Sequence, residues 1–314
     1  MKAFIPKLSN ETIAKGKNAG GKIFSLLYYL FLIDLAFVFM FPFLYMLSTS
    51  LKSFQDLNNI SVTWLPTGLS FKNYIAAAQS MSLILTVRNS VTVTGFATLG
   101  HLFAGAFIGY GFARFEFPFR KALFFGVILS AVIPTQVSIV PLYITYSNLK
   151  MLDTFFPLIL PTFLGFGLRG GIFIFLFRQY FYGFPSALED AAMIDGCGRV
   201  KSFFRIALPS AGPVIVVTTV LSMVWHWNDY YEPSLYLTSG TSTAMVTQML
   251  PQMYNLLAAA ASGGGNADAL EQITRYHEGV VMAATVIALT PLLIVYLFLQ
   301  KKFITSIERT GLVG

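Results

Sequence analysis

Six long apolar segments, separated by more polar connections, dominate the pattern of the chain. They approach the roughly 20 apolar residues that an α-helix needs to cross the hydrocarbon core of a bilayer. We therefore predict an all-α polytopic membrane protein with six transmembrane helices. The segments cover residues 24–47, 90–112, 122–144, 156–177, 212–227 and 279–299.

The amino-acid composition also indicates a membrane environment for these segments. Of the 314 residues, 55% are apolar and only 11% are charged, against about 25% charged residues in soluble proteins. The chain also contains 31 Phe and 15 Tyr, and aromatic side chains are typical of membrane–water interfaces. A soluble domain of this length could not cover its surface with so few charges.

The distribution of Lys and Arg predicts which way the segments run, because cytoplasmic connections carry an excess of both. Fewer basic residues lie in the remaining connections, so both termini are predicted to face the cytoplasm. The net charge of +7 follows this topology and does not indicate a nucleic-acid partner. The residues on the cytoplasmic side are Lys2, Lys7, Lys15, Lys17, Lys22, Arg114, Arg120, Lys121, Arg178, Arg199, Lys201, Arg205, Lys301, Lys302 and Arg309.

This topology divides the chain into four parts. A basic cytoplasmic tail covers 1–22, the first transmembrane helix and its outer loop cover 23–86, and a core with five transmembrane helices covers 87–302. A short cytoplasmic tail, 303–314, ends the chain.

The N-terminal tail contains G-K-N-A-G-G-K at 16–22, the frame of a phosphate-binding loop. Ile23 follows it where Ser or Thr would bind Mg²⁺, and no strand precedes it, so we expect no nucleotide site in this chain. The single cysteine, Cys197, excludes an intrachain disulfide and a multi-cysteine metal site. We expect no metal site elsewhere in the chain.

The connection at 184–209 has a pattern of helix, glycine break and second helix. Ser186 and Glu189 have the S-x-x-E spacing of a capping box, which predicts a helix that begins at Ala187. Gly196 predicts the left-handed residue that ends this helix. A second helix is predicted to follow before the fifth apolar segment.

The surface chemistry of this connection indicates a protein partner. Three acidic residues, Glu189, Asp190 and Asp195, depart from the positive charge of the other cytoplasmic connections. Ala191 and Ala192 are small enough to let the groove of another protein approach the helix backbone. We therefore predict that a second protein docks here.

The spacing of these residues resembles the EAA loop of ABC importer permeases, which reads E-A-A, three residues, G, nine residues, I-x-L-P. Asp190 stands where the family usually has glutamate. The preceding residue, Glu189, suggests that the acidic function is shifted by one residue. The resemblance implies that a separate ATPase couples to Glu189, Asp190, Ala191, Ala192, Asp195, Gly196, Ile206, Leu208 and Pro209.

Other residues look like the carbohydrate-uptake, maltose-type branch of that family, in particular its shorter permease. They are Asn89, the Phe-Arg-Gln-Tyr-Phe run from Phe177, and Trp227-Asn228-Asp229. This resemblance implies a type I ABC importer permease fold in a bacterial cell membrane, forming half of the translocation pathway for an oligosaccharide. It implies as partners a second permease, two ATPase subunits that bind ATP and Mg²⁺, and an extracytoplasmic solute-binding protein. No cofactor is implied for this chain.

Arg169 falls near the middle of the fourth segment, among four glycines. A mid-membrane arginine is costly and usually faces a cavity or a partner. Two interpretations remain open: contact with an anionic or hydroxyl-rich sugar, or a structural ion pair or backbone cap at the second permease. With it, the residues predicted to line the substrate path are Arg169, Asn89, Trp227 and Asn228.

The aromatic cluster at the end of the fifth segment is equally open. Trp225, Trp227, Tyr230 and Tyr231 would suit stacking on sugar rings, an interfacial belt, or a docking surface for a binding protein.

Three rival functions remain. An ion-driven secondary transporter or channel would have the same apolar pattern, and an ABC permease could carry a non-sugar solute such as glycerol phosphate. A membrane enzyme would need a catalytic constellation, and the sequence offers neither a triad nor a carboxylate pair. We therefore predict a transport subunit without an enzymatic site.

Overall fold

A computed structural model of the chain describes residues 19–238, 242–261 and 267–310. These residues form helices and irregular connections, with no strand among them. The predicted tails at 1–18 and 311–314 lie outside the described residues. The helices are α1 Ala19–Ser50, α2 Phe54–Asn58, α3 Lys72–Ser80, α4 Leu83–Arg114, α5 Arg120–Val132, α6 Thr135–Asn148, α7 Phe156–Phe163, α8 Gly170–Gly183, α9 Ser186–Ile194, α10 Arg199–Ser202, α11 Leu208–Ser210, α12 Gly212–Asn228, α13 Tyr231–Tyr236, α14 Val246–Ala261 and α15 Ala267–Thr310, with a π-helical turn at Phe203–Ala207 between α10 and α11.

Three of the described helices are long and apolar enough to cross a membrane, at Phe24–Ser50, Leu83–Arg114 and Glu278–Thr305. Two bent pairs of helices raise the number to five if each pair forms one span. The first, second and sixth predicted spans are therefore confirmed as long helices. The first helix also extends back to Ala19, into the predicted tail.

The third predicted span is two helices rather than one, α5 and α6, which meet at an angle of 97°. The break lies at Ile133 and Pro134. Proline disfavours helical geometry in the residue before it, and Ile133 accordingly has extended backbone angles, φ −64° and ψ 124°.

The prediction of a single fourth span at 156–177 is wrong. Helix α7 ends at Phe163 and α8 begins at Gly170, so an irregular segment interrupts the apolar run. Gly165, Gly167 and Arg169 have φ values of +79°, +88° and +57°, which a continuous right-handed helix does not contain.

The described residues divide into two compact units, one from 19–81 with 250–261 and 267–289, and one from 82–238 with 242–249 and 290–310. In the first, buried polar side chains hold the segment that follows α1. Asp56 and Ser53 form a capping box at the start of α2. The Thr67 hydroxyl also donates to Asp56 Oδ1 at 2.6 Å, and this bond holds the pKa of the carboxyl below its usual range. Lys52 Nζ donates to two backbone carbonyls of the same segment.

The second unit is built around α4, which packs against α7, α8 and α12. Gly105 and Gly109 form a G-x-x-x-G motif where α4 meets α8, a spacing that lets helices approach closely in membranes. A Cβ on Gly109 would lie 2.6 Å from Phe177 Cβ and 2.8 Å from the Arg178 nitrogen. The buried hydrophobic cluster that contains Phe177 also contains Phe181.

Buried polar pairs join α4 to α12. The Nε2 atoms of His101 and His226 lie 3.1 Å apart, so one imidazole donates and the other accepts. One turn earlier, the hydroxyls of Thr98 and Ser222 are 3.0 Å apart. These bonds satisfy polar groups that would otherwise be costly to bury.

Candidate functional site

Helix α9 forms the first half of the predicted coupling loop. It begins at Ser186, one residue earlier than predicted, after Pro185 with φ −59°. No side chain caps its N-terminus, so the predicted capping box between Ser186 and Glu189 is wrong. Proline fixes φ near the value that starts a helix, and the Glu189 carboxylate is bound elsewhere.

Glu189 anchors α9 to the end of α4. Its side chain is buried, with 7% of the residue exposed. Arg114 Nε donates to its Oε1 at 3.2 Å, and the Tyr110 hydroxyl donates to its Oε2 at 3.1 Å. Arg114 also donates to the Phe184 carbonyl at 2.6 Å. Charge-assisted bonds of this kind are stronger than neutral ones, so the start of α9 is fixed on α4.

Asp190, the next residue, is exposed. The two adjacent carboxylates therefore differ in what they can contact: Glu189 is bound within the chain, and Asp190 faces outward. This geometry does not favour the suggested shift of the family's acidic function to Glu189.

The C-terminal end of α9 has the predicted left-handed glycine. Gly196 has φ +80°, and its N–H donates to the Met193 carbonyl at 3.1 Å. The N–H of Cys197 donates to the Ala192 carbonyl at 2.9 Å. These two bonds form a Schellman motif, which confirms that Gly196 ends the helix.

The second helix of the connection is also present, but it is not a uniform α-helix. Helix α10 continues into the π-helical turn Phe203–Ala207 and then into α11, which contains Pro209. The turn packs its buried residues, Phe203 and Ala207, into the cluster that contains Tyr110. A bend of 71° then leads into α12.

The outward side of the connection exposes apolar side chains. Ile194 is 87% exposed and Val200 is 71% exposed, and Leu188 and Met193 are also exposed. Of the two small residues, Ala191 is exposed and Ala192 is buried. Large exposed apolar side chains grouped in one connection are typical of a protein–protein contact.

Residues 101–309 match the family described as "Binding-protein-dependent transport system inner membrane component". The match covers more than half of the chain and includes the whole connection at 184–209. The chain belongs to this family. It is therefore a membrane permease of the ABC transport class.

Curated relatives of this permease come from several bacteria. It is 29% identical to the arabinooligosaccharides transport system permease protein AraQ of Bacillus subtilis (strain 168), over 91% of this chain and 94% of that protein. It is 30% identical to the melibiose/raffinose/stachyose import permease protein MelC of the same strain, over 87% and 91%. It is 27% identical to that strain's polygalacturonan/rhamnogalacturonan transport system permease protein YtcP, over 90% and 95%.

One solved structure shares the fold of the permease with a TM-score of 0.75. It belongs to a bacterial ABC transporter involved in the import of the acidic polysaccharide alginate, and it is 22% identical over 91% of this chain and 98% of that chain. The permease therefore has the type I ABC permease fold.

The four residues predicted for the substrate path do not meet in one place in the permease. Asn89 is buried, and its amide donates to the carbonyls of Ser242 and Ala244 at 2.9 and 3.0 Å, which ties α4 to the segment before α14. Trp227 is buried in α12, and the exposed Asn228 donates back to the Val224 carbonyl at 2.9 Å. Their roles in the path stay predictions.

Arg169, by contrast, lines a cavity of about 180 Å³ in the second unit. Its guanidinium lies 4.7 Å from the centre of the Trp225 ring. Glu232 of α13 lines the same cavity. Burial and, to a smaller extent, the nearby Asp229 together raise the pKa of the Glu232 carboxyl to about 8.

Sequence reasoning missed three of these contacts. Arg114 and Tyr110 lie 75 and 79 positions away from Glu189, which they bind. Local spacing in the sequence does not indicate contacts over such distances. The position of Glu232 in the cavity wall is not among the predictions made from the sequence. The usable signal was the acidic Glu189 in a positively charged connection, because a buried carboxylate needs a basic partner.

Proposed function

We propose that this permease forms half of the translocation pathway of an ATP-driven importer for an oligosaccharide or a related sugar. The observation that carries the proposal is the geometry of α9. Its EAA-like residues lie on a helix that Glu189 fixes to the permease on one side, while its other side exposes Asp190 and apolar residues.

The names of the relatives support a sugar as the solute. Those relatives serve arabinooligosaccharides, the melibiose group and polygalacturonan or rhamnogalacturonan. They match this chain over almost its whole length, so we infer that the shared pathway carries a polyhydroxylated solute.

The proposed topology keeps six membrane crossings, with α7 and α8 forming a broken fourth crossing and both termini in the cytoplasm. The proposed complex contains a second permease, two ATPase subunits that bind ATP and Mg²⁺, and an extracytoplasmic solute-binding protein. In this scheme the chain catalyses no reaction and binds no cofactor of its own. The membrane is the bacterial cell membrane.

In the proposed mechanism, α9 occupies a cleft of the ATPase. Closure of the ATPase on ATP moves α9 as a rigid body, and the Glu189–Arg114 bond passes this movement to α4. The permease thereby switches between inward-facing and outward-facing states, which is rigid-body switching of the kind known in other two-state proteins.

The end of α9 offers a test in proteoliposomes that contain the complete transporter. Gly196→Trp should reduce ATP-driven sugar uptake at least tenfold while ATP hydrolysis continues, because the bulky residue obstructs the docking surface. Gly196→Asn is the matched control, since asparagine tolerates the left-handed conformation and adds little bulk.

Unchanged uptake with Gly196→Trp would contradict the docking role. Uptake by this chain alone in ATP-free vesicles would instead favour an ion-driven transporter.

A further inference from the structure

The cavity beside Arg169 is built from the broken part of the fold. Its walls come from α5, α6, α7, α8 and α13, and all its lining residues belong to the second unit. At about 180 Å³, it is smaller than the usual pocket for a drug-sized ligand. It is therefore suited to one ring of a ligand rather than to a chain.

Arg169 brings a permanent positive charge to this cavity. No described carboxylate forms an ion pair with it, and its one described contact is the face of Trp225. A guanidinium cannot lose its proton in a protein, and Arg169 is exposed at the cavity. Its charge is therefore accessible to an anionic group that enters the cavity.

The other charged group in the wall does not neutralise Arg169. Burial and the nearby Asp229 raise the pKa of the Glu232 carboxyl to about 8, which favours its protonated form. In that state it has one O–H donor and a carbonyl acceptor. The cavity keeps one net positive charge and gains a group suited to a hydroxyl.

The remaining wall offers ring faces and hydroxyls. Tyr146 and Tyr236 line it with their rings in edge contact, 5.1 Å between centroids. Ser130, Thr135 and Ser138 add hydroxyls on α5 and α6. Aromatic faces and hydroxyls together match the alternating apolar and polar surfaces of a sugar ring.

We propose that this cavity is a subsite for a sugar unit that carries a carboxylate. The guanidinium of Arg169 pairs with the carboxylate, and the Glu232 carboxyl and the cavity hydroxyls bond the ring hydroxyls. The inference rests on the proposed function and names its substrate class as acidic oligosaccharides. A single carboxylate fits better than a phosphate dianion, because the cavity has one net positive charge and a guanidinium matches a carboxylate in two parallel bonds.

The test uses the complete transporter in proteoliposomes, with its binding protein outside. The probes are the trimers of galacturonate and mannuronate, the methyl esters of both, and neutral arabinotriose. Wild type should take up at least one acidic trimer with ATP. Arg169→Gln should lower that uptake tenfold or more and change uptake of the uncharged probes less than twofold. Arg169→Lys should restore part of the loss, since it keeps the charge without the paired geometry.

Arg178→Gln is the matched control. Arg178 also lies over an aromatic ring, with its guanidinium 4.1 Å from the centre of Phe124, and it belongs to α8 but not to the cavity wall. Its substitution should affect acidic and neutral probes alike.

Four results would overturn the inference. Equal losses of acidic and uncharged probes in Arg169→Gln would assign Arg169 a structural role, such as a pair with a carboxylate of the second permease. Undiminished acidic uptake in that variant would remove Arg169 from the subsite. ATP-driven uptake of arabinotriose but of neither acid would refute the substrate class while leaving the proposed function intact. ATP-driven uptake of none of the probes would count against both.

Discussion

Two carboxylates that are neighbours in the sequence of α9 have different surroundings. One is bound within the chain, and the other is exposed. Glu189 lies on the face that meets α4 and is held by Arg114 and Tyr110. Asp190 is rotated by about 100° around a helix of 3.6 residues per turn, and it is exposed. Substitution of one should therefore affect the stability of the permease, and substitution of the other its contact with a partner.

Glu189→Gln and Asp190→Asn test this difference. The first should lower the free energy of unfolding by about 1–3 kcal/mol, because Arg114 loses a charged hydrogen-bond partner. The second should change it by less than about 0.5 kcal/mol, as expected for an exposed residue. Thermal unfolding of the permease in detergent measures both. Equal effects on unfolding would show that the ion pair does not anchor α9.

The sequence predicted structure that depends on residues close together in the chain, but it did not predict contacts between distant residues. Gly196 ends α9 as predicted, because a left-handed stop depends on local backbone geometry. The pattern of Ser186 and Glu189 was ambiguous, since the same glutamate can cap its own helix or bind a distant base. Arg114 decided between these, and a contact across 75 positions leaves no mark on local spacing.

At the scale of elements, α4 and α8 approach each other so closely at two glycines of α4 that a side chain would not fit there. Gly105 and Gly109 are one turn apart on the face that meets Phe173 and Phe177. Gly111, only two residues further along α4, faces open space. The same substitution should therefore have opposite consequences at positions 109 and 111.

Gly109→Leu should destabilise the permease by about 1–3 kcal/mol, the usual cost of overfilling a packed interior. Gly111→Leu, its control, should be neutral or slightly stabilising, because it replaces glycine by a good helix former. The midpoint of thermal unfolding and the yield of folded protein after solubilisation give the comparison. A similar loss in both variants would show that the loss does not come from the close packing of Gly109 against α8.

The apolar length of each segment predicted where helices occur, but it did not predict where they break. Pro134 lies in the middle of the predicted third span, and it separates α5 from α6. The break after α7 depends on Gly165, where a Cβ would lie 2.6 Å from Ile108 Cδ1 of α4. That constraint comes from tertiary packing, so the hydrophobic pattern of the segment alone could not reveal it.

For the whole molecule, the open question is orientation in the membrane. The side chains of α1 from 24 to 44 are all exposed, as expected for a helix that meets lipid or another subunit. The excess of Lys and Arg at 184–209 and at both ends predicts that these parts lie in the cytoplasm.

Single cysteines in a Cys197→Ser background test the orientation. Ile60 and Ile194 are 80% and 87% exposed, so Ile60→Cys and Ile194→Cys should both be reactive toward a membrane-impermeant maleimide. In intact cells the reagent should label Ile60→Cys and spare Ile194→Cys, and permeabilisation should add the second label. The reverse order of labelling would invert the proposed topology.

Because the Glu189–Arg114 pair is largely buried, salt should weaken it less than it weakens contacts made by the exposed Asp190. Screening acts over about 8 Å at 0.15 M salt and about 3 Å at 1 M, and it weakens exposed charges much more than buried ones. A concentrated salt wash would therefore loosen contacts made through Asp190 and leave α9 seated on α4. A permease stripped of its peripheral subunits in this way would keep its docking helix in place, ready to bind them again after dilution.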